Sequence, residues 1–353
     1  MENKIGVGLI GFGLAGRTFH APFIANVPGL SLRKIRATNT DDIALAQRLY
    51  SKAEIVSDAA ALFSDDAIEL VVIASPNNTH YTLCKGALLA GKHVVVDKPF
   101  TVSTAEADEL IRLAEKQNKL LTVYQNRRWD SDFKTIRKVL ESDLLGKIVE
   151  YEAHFDRFRN YIKPATWKEE ALSGSGILYD LGPHLIDQAL CLFGLPDAIT
   201  AEVKVQRENS NIVDYFSISL HYPQLKAILK AGMLVRSDLP RYMIYGEKGS
   251  FIKYGIDVQE TALKAGEMPA ETLGWGEEQE AIWGELHTTF KGLDIKGKIK
   301  SEIGDYSGFY INVCKAIKGE EPLAVKPEEA RNVIRIIELA MQSNTEKRTI
   351  SYS

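Results

Sequence analysis

Short apolar runs alternate with helical patterns along the first third of the chain. Except in 30–37, the runs are almost free of polar residues, which is typical of strands buried on both faces of a sheet. Between them, 79–90 has helical spacing and ends at Gly91, and 103–106 has the form of a helix-starting capping box. This alternation predicts a parallel, doubly wound sheet, in which ligands bind at the carboxyl ends of the strands. The predicted strands are 5–10, 30–37, 69–74, 93–96 and 120–124.

The pattern changes at about residue 126. Beyond one helix over 133–140, the apolar runs are longer and several alternate with polar positions, which is typical of an antiparallel sheet with one packed face. The predicted strands are 147–157, 200–208, 213–222 and 225–235. Residues 260–300 show no clean period, and we interpret them only as an excursion over the surface. A helix over 327–342 carries an apolar face made of Ala330, Val333, Ile334, Ile337 and Met341.

Together these patterns predict an α/β protein of two domains. A Rossmann domain with a doubly wound parallel sheet is expected over 1–125. An α+β domain with a large, open, mostly antiparallel sheet is expected over 126–353, with the C-terminal helix at about 327–342. The length of 353 residues agrees with this division, because single cores rarely grow beyond about 250–300 residues.

Composition narrows the possible partners and the compartment. The 43 basic and 47 acidic residues give a net charge of -4, and neither sign forms a long block. This argues against nucleic acid or an anionic membrane as the main partner, since both require a concentrated basic face. Cys84, Cys191 and Cys314 are far apart, so we expect buried thiols and neither a disulfide nor a metal site. With no apolar stretch long enough for a bilayer, a cytoplasmic protein is expected.

A glycine-rich turn follows the first strand directly. Gly11, Gly13 and Gly16 have the spacing G-x-G-x-x-G, in which the glycines allow a tight turn, a close approach of pyrophosphate and close packing of helix on strand. Phe12 and Leu14 lie in the same loop and are expected beside the nucleotide, whose phosphates bind the N-terminus of the next helix. A purely structural turn can have the same letters, so the nucleotide interpretation depends on the buried strand before it.

The end of the second strand bears on the choice of cofactor. An acidic residue there usually binds the adenosine 2′-hydroxyl of NAD and would repel the 2′-phosphate of NADP. This chain has Thr38 and Asn39, with no carboxylate until Asp41, and Arg36 or Arg33 can supply positive charge. The sequence therefore favours NADP, with NAD possible. In the alternative interpretation, Thr38 and Asn39 only form a turn.

Polar residues stand at the carboxyl ends of the other predicted strands. A lysine at such a position can hydrogen-bond a substrate hydroxyl, lower its pKa and stabilise the alkoxide as hydride leaves. Lys98 is the candidate here, with a solvated strand end as the alternative, and the sequence leaves the isomer of the bond to Pro99 open. The candidates at these ends are Ser75, Asn77, Asp97, Lys98 and Asn126.

A second chemical candidate lies in the stretch 173–187. If the chain is helical from about Leu178, Asp180 and His184 project from the same face. A carboxylate one turn from an imidazole can fix its tautomer and raise its basicity, as a general base requires. The alternative is a helix N-terminal charge beside a structurally satisfied histidine.

These motifs together resemble one family, the glucose-fructose oxidoreductase, inositol dehydrogenase and rhizopine-catabolism (Gfo/Idh/MocA) oxidoreductases. The matching stretches span most of the chain in order and spacing: 11–16, 74–80, 90–99, 126–127 and 180–187. Within the family, 124–130 and 182–188 are most similar to bacterial NADP-dependent scyllo-inositol dehydrogenases and their uncharacterised relatives.

The resemblance implies roles for individual residues. Lys98, Asp180 and His184 would line the site of hydride transfer, with Lys98 positioning the reacting hydroxyl and His184 taking its proton. Asp97 stands where most relatives have Glu, and its shorter reach puts the family's role beside the nicotinamide ribose in question. The residues expected along the cofactor are Ser75, Pro76, Asn77 and His80, followed near its nicotinamide end by Asn126, Arg127 and Trp167. Candidate substrate contacts in the second domain are Arg128, Arg157 and Tyr161.

The sequence thus predicts a dehydrogenase that interconverts a secondary hydroxyl of a cyclic polyol or sugar with its ketone, a substrate of the scyllo-inositol type being expected first. Another sugar or sugar derivative is the alternative substrate. The rival from a different class is a sensor that binds nucleotide and ligand without turnover. The resemblance also implies that the open sheet forms a subunit interface, so a homodimer or homotetramer is expected.

Overall fold

The chain forms two compact units, and the second half of the sequence contributes to both. This computed structural model describes residues 4–163, 169–269 and 271–352. The first unit comprises Met1–Asn126, Gln259–Trp275 and Asp305–Arg331, and the second comprises Arg127–Val258, Gly276–Gly304 and Asn332–Ser353.

Two sheets form the centres of these units. The strands are β1 Ile5–Ile10, β2 Leu30–Arg36, β3 Glu54–Val56, β4 Leu70–Ile73, β5 His93–Val96, β6 Leu121–Val123, β7 Ile148–His154, β8 Ala198–Lys204, β9 Tyr215–His221, β10 Lys226–Gly232, β11 Tyr242–Gly246, β12 Gly249–Lys253, β13 Gly284–Phe290, β14 Leu293–Ile299 and β15 Ile350–Ser351. The helices are α1 Ala21–Asn26, α2 Thr40–Leu49, α3 Ala60–Phe63, α4 His80–Leu89, α5 Thr104–Lys116, α6 Ser131–Glu141, α7 Ile177–Asp180, α8 Gly182–Phe193, α9 Gln259–Lys264, α10 Ser307–Ile317 and α11 Pro327–Glu346.

The first sheet is parallel throughout and has the order β3-β2-β1-β4-β5-β6. All six residues of β1 are buried, which explains why its sequence is a continuous apolar run. The strand order reverses between β1 and β4, and ligands of such sheets bind outside the carboxyl ends of the strands at that point. The predicted Rossmann sheet is therefore confirmed.

The second sheet has nine strands in the order β14-β13-β12-β11-β7-β10-β9-β8-β15. Only the pair of β7 and β10 is parallel among its described neighbours. Along β9, fully buried positions alternate with half-buried ones, as the sequence pattern predicts for a sheet with one packed face. The expected mixed but mostly antiparallel sheet is thus confirmed.

Regular structure also occurs in residues 260–300, the segment whose sequence shows no clean hydrophobic period. Helix α9 and the hairpin of β13 and β14 lie within or at the edge of 260–300, so a mere surface excursion is wrong for these residues. The signal was weak because β14 is an edge strand that is exposed over most of its length, which removes the apolar alternation.

Two smaller predictions are also corrected. Cys191 is exposed, whereas Cys84 and Cys314 are buried as expected. On α11, Ala330 and Ile337 are buried, but Met341 is 39% exposed because Ala340 continues the buried face in its place. Among the residues that the structure describes, no helix combines the length and apolarity needed to cross a bilayer.

Candidate functional site

The glycine loop after β1 has a different steric demand at each of its three positions. Gly11 has φ +96°, and a Cβ there would lie 2.4 Å from the carbonyl oxygen of Ala74. A Cβ on Gly16 would lie 2.0 Å from the carbonyl oxygen of Gly11, whereas a Cβ on Gly13 would meet nothing within 4 Å. These are the tight turn, the close helix–strand packing and the open approach that a dinucleotide pyrophosphate requires. The loop therefore fits a dinucleotide, and Phe12 and Leu14 flank its open position.

The turn after β2 is built around an Asn cap. The Asn39 side-chain oxygen accepts hydrogen bonds from the backbone N–H groups of Asp41 and Asp42, so Asn39 caps α2. This is the structural role given above as the alternative for Asn39. The cap uses only the side-chain oxygen, so the side-chain NH₂ group is the part of Asn39 that can donate a hydrogen bond to a ligand. Arg17, just past the glycine loop, lies 3.4 Å from the carboxylate of Asp42 and is 41% exposed. Arg17 is a cation near this turn that the sequence analysis missed, because it lies 22 positions from Asn39.

The loop after β4 is held together by its own polar groups. The hydroxyls of Ser75 and Thr79 lie 2.6 Å apart, and the Thr79 hydroxyl donates to the carbonyl of Pro76 at 2.7 Å. Asn77 begins the short helical turn that leads into α4. This loop leaves the sheet beside the glycine loop, since β4 pairs with β1.

His80 is completely buried behind this loop. Its two ring nitrogens lie 2.9 Å from the carbonyl oxygen of Ser75 and 2.8 Å from that of Pro99, so the ring joins the loops after β4 and β5. Burial lowers the pKa of His80, while the charge of Asp97 and the carbonyl contacts act in the opposite direction. The buried His80 ring therefore connects the loops after β4 and β5, which carry other candidate residues.

Lys98 is the second residue after the end of β5. The peptide bond between Lys98 and Pro99 is cis, and the backbone N–H of Lys98 donates to the Asp97 carboxylate at 2.8 Å. Burial alone would raise the pKa of Asp97, but a contact with His20 and the charges of Lys98 and His80 hold that pKa below its usual value. An ionised carboxylate thus directly precedes Lys98 in the chain and accepts its backbone N–H.

The segment after β6 carries three more candidates on a short helical turn, Asn126–Trp129. Asn126 is 6% exposed. The Arg127 guanidinium lies 3.2 Å from Asp130 and 4.9 Å from the ring centre of Phe155.

Arg128 makes two hydrogen bonds to the carboxylate of Asp187, at 2.8 and 2.6 Å, and both side chains are nearly buried. This bidentate pair fixes the segment against helix α8, which carries Asp187.

Asp180 and His184 do not share one helix, so the expectation of a continuous helix is wrong. Asp180 is the last residue of α7, Leu181 has φ -109°, and His184 lies in the first turn of α8. The break follows from Pro183, which has no N–H to donate to the carbonyl of Tyr179. His184 is 6% exposed, with its ring centre 6.4 Å from that of Phe155, while Asp180 is half-buried.

The remaining substrate candidates differ in exposure. Tyr161 is 60% exposed, and its carbonyl accepts a hydrogen bond from Arg207 at 2.8 Å. Arg157 is half-buried, with its guanidinium 6.0 Å from the ring centre of Phe155. Trp167 lies outside the described residues.

Comparison with known protein families matches both halves of the chain. Residues 5–125 match the model described as an oxidoreductase family NAD-binding Rossmann fold. Residues 137–352 match the model described as the oxidoreductase family C-terminal alpha/beta domain.

Individual relatives match along nearly the whole chain. The scyllo-inositol 2-dehydrogenase (NADP(+)) IolW of Bacillus subtilis is 43% identical over 349 residues, which cover 99% of this chain and 96% of the relative. The uncharacterised oxidoreductase YdgJ of Escherichia coli is 41% identical, with 99% of each chain covered. A solved structure of the oxidoreductase yvaA from Bacillus subtilis superposes with a TM-score of 0.96 at 42% identity and covers 100% of this chain and 99% of that chain.

Proposed function

Because the chain belongs to the Gfo/Idh/MocA oxidoreductase family, we propose that it is an NADP-dependent dehydrogenase that interconverts a secondary hydroxyl of a cyclic polyol with the ketone. A scyllo-inositol-type substrate is the first choice, since the relative IolW, 43% identical along nearly the whole chain, carries that activity in its name. Another sugar or sugar derivative is the alternative substrate.

The observation that carries the proposal is the position of Lys98 in a sheet built for a dinucleotide. Lys98 follows β5, which pairs with β4, and β4 pairs with the strand that ends in the glycine loop. Its backbone is tied to the ionised Asp97 by the 2.8 Å hydrogen bond. An amine at this edge of the sheet can bind a hydroxyl oxygen.

A nicotinamide cofactor, when bound, would accept or donate the hydride. Lys98 holds the reacting hydroxyl by a hydrogen bond and stabilises negative charge on its oxygen. His184 takes the hydroxyl proton, and Asp180 is assigned to the bound substrate. Asn126 and Arg127 are assigned to the nicotinamide end of the cofactor, and Ser75, Pro76 and Asn77 to its length.

The preference for NADP is supported by the groups at the end of β2. Thr38 and the amide NH₂ of Asn39 can donate to a phosphate, and Arg17 and Arg36 are cations close in the chain to the glycine loop and to β2. Arg17 faces Asp42, so part of the acidic charge at the start of α2 is neutralised. These groups suit a 2′-phosphate better than a 2′-hydroxyl.

Replacing Lys98 tests the proposal. Lys98→Ala should lower kcat for scyllo-inositol oxidation by about 10²- to 10³-fold, because one donor to the developing oxyanion is lost. The affinity for NADP, measured by titration calorimetry, should stay close to that of the parent. Lys116→Ala, which changes a lysine in the last turn of α5, is the matched control. Parent-like kcat in Lys98→Ala would contradict the assignment.

A further inference from the structure

Asp97 is approached from its buried side by two residues that are distant in the sequence. His20 ends the π-helical turn Gly16–His20 after the glycine loop, and Tyr310 lies on α10; both are completely buried. His20 Nδ1 and the Tyr310 hydroxyl oxygen are 2.6 Å apart. On the other side of the ring, His20 Nε2 lies 3.8 Å from Asp97 Oδ2. The three side chains therefore form a line from the core to the residue before Lys98.

The protonation of this line follows from its surroundings. Burial, followed by the nearby Tyr124 and Asp97, raises the pKa of Tyr310 well above its usual value, so the phenol keeps its proton. A phenol that donates to Nδ1 leaves the imidazole proton on Nε2, where it points toward the carboxylate. A bare Nε2 lone pair would instead face the Asp97 charge, which is unfavourable. We infer this tautomer from the hydrogen-bond network.

Aromatic packing fixes the plane of the His20 ring. The ring centre of Tyr124 lies 4.4 Å from that of His20, and Tyr310 meets His20 edge-on at 6.2 Å. Phe309 in turn packs edge-on against Tyr124 at 4.8 Å. Within the described ranges, Nε2 has no hydrogen-bond partner, and 3.8 Å is longer than a direct hydrogen bond. The His20 ring therefore acts on Asp97 through its fixed orientation and through electrostatics.

We propose that His20 and Tyr310 are positioning residues that hold the Asp97 carboxylate, and through it the backbone of Lys98, in one orientation. One carboxylate oxygen accepts the Lys98 N–H at 2.8 Å, and the other faces His20. Turning the carboxylate breaks both contacts at once. The role of Lys98 in this inference rests on the proposed function, whereas the arrangement of Tyr310, His20 and Asp97 does not.

The charged groups around Asp97 make the arrangement measurable. The contact with His20 and the charges of Lys98 and His80 act on the carboxylate, and all favour its ionised form. Of these, Lys98 and His80 remain when His20 is replaced. Loss of His20 should therefore raise the titration midpoint of Asp97 and not abolish its ionisation.

The first arm of the test needs no turnover. Carboxyl ¹³C resonances of the cofactor-free protein are titrated, with the Asp97 signal assigned by its loss in Asp97→Asn. We expect the Asp97 midpoint to rise in His20→Leu, to rise less in Tyr310→Phe, and to return toward the parent value in His20→Gln, whose amide can still donate. Tyr124→Phe is the matched control, because it removes a hydroxyl from the same cluster and keeps the ring contact with His20.

The second arm is kinetic. His20→Leu and Tyr310→Phe should lower kcat by about 10- to 100-fold through misplacement of Lys98, leave KM for NADP near the parent value, and shift the acid limb of the pH profile upward. If both variants match Tyr124→Phe in titration and kinetics, the proposal is wrong. If His20→Leu does not fold, Tyr310→Phe decides, since it keeps the imidazole. Should the midpoints shift while Lys98→Ala retains full activity, the proposed function fails and the positioning of Asp97 stands.

Discussion

The three glycines of the loop after β1 show how the folding and the binding properties of one loop depend on single residues. Gly11 needs a positive φ, Gly16 needs the absence of a Cβ against the Gly11 carbonyl, and Gly13 has open space around it. Only the first two are required by the fold. The freedom around Gly13 therefore points to something that the protein must admit there, and a pyrophosphate fits that requirement.

Substitutions at two of these glycines should separate binding from folding. Gly13→Ala should leave the urea unfolding midpoint unchanged and raise the Kd for NADP by at least about tenfold, a loss of about 1.4 kcal/mol. Gly16→Ala should destabilise the protein by about 1–3 kcal/mol, because the new Cβ overlaps backbone. Unchanged NADP affinity in Gly13→Ala would argue against a nucleotide at this loop, and parent-like stability of Gly16→Ala would contradict the packing.

At this scale the sequence was informative where chemistry is local. Lys98 and the glycines could be found because short motifs and strand ends mark them. His20 and Tyr310 could not, because they are 290 positions apart and a single histidine in the short turn after the glycine loop has no pattern of its own. The prediction for Asn39 allowed two roles, and the structure shows its capping of α2.

At the scale of elements, apolar patterns predicted β1, β4 and β5 well, since these strands are buried on both faces. They missed β3, which is short and partly exposed. The same reasoning failed at the exposed edge strand β14 and at the break between α7 and α8. In the second case periodicity continues through the break, and only Pro183 signals that a hydrogen bond is missing. Asp180 and His184 thus belong to two elements.

Strand β7 carries a histidine held between two acids, and this should make stability depend on pH. His154 lies 2.7 Å from Glu152 and 2.8 Å from Asp156. Burial lowers the pKa of His154, but these two partners more than offset it, so the net shift is upward. A raised folded-state pKa means that the stabilisation is complete below the unfolded value and is lost as pH rises through the folded value.

His154→Gln should therefore reduce this alkaline loss. Between about pH 6 and about pH 9, the urea midpoint should fall more in the parent than in His154→Gln. The cations nearest to His154 are Lys230, which lies opposite it in register, and Arg241, which donates to its carbonyl. His221→Gln, on β9, is the control and should keep the parent's alkaline loss, since the pKa of His221 is lowered by burial and by Lys226. An equal loss in parent and His154→Gln would contradict this account.

At the scale of the whole molecule, the residues of the proposed reaction are divided between two units. The nucleotide loop and Lys98 belong to the first, and Asp180 and His184 belong to the second. The sequence indicated a change of pattern near residue 126, but not that Gln259–Trp275 and Asp305–Arg331 belong to the first unit. Hydrophobic periodicity does not show that a later segment of the chain packs in the first unit, because the local pattern of a segment is the same in either unit.

We propose that the second unit binds the substrate and associates with further copies of the chain. Its sheet has a packed face and a second face whose positions along β9 are only half-buried. Covering that face by another copy would complete its burial. Light scattering should give the mass of a dimer or tetramer, whereas a monomer at micromolar concentration would contradict the proposal.

The most direct test of the central claim is an absorbance assay of cofactor reduction. The purified protein is offered NADP or NAD with a panel of inositol isomers and simple sugars. The account predicts reduction of NADP with scyllo-inositol or a close relative, and slower reduction of NAD. Preference for NAD would overturn only the interpretation of Thr38 and Asn39 at the end of the second strand. Binding of NADP without reduction by any member of the panel would contradict the proposed polyol dehydrogenase and favour a protein that senses its ligand.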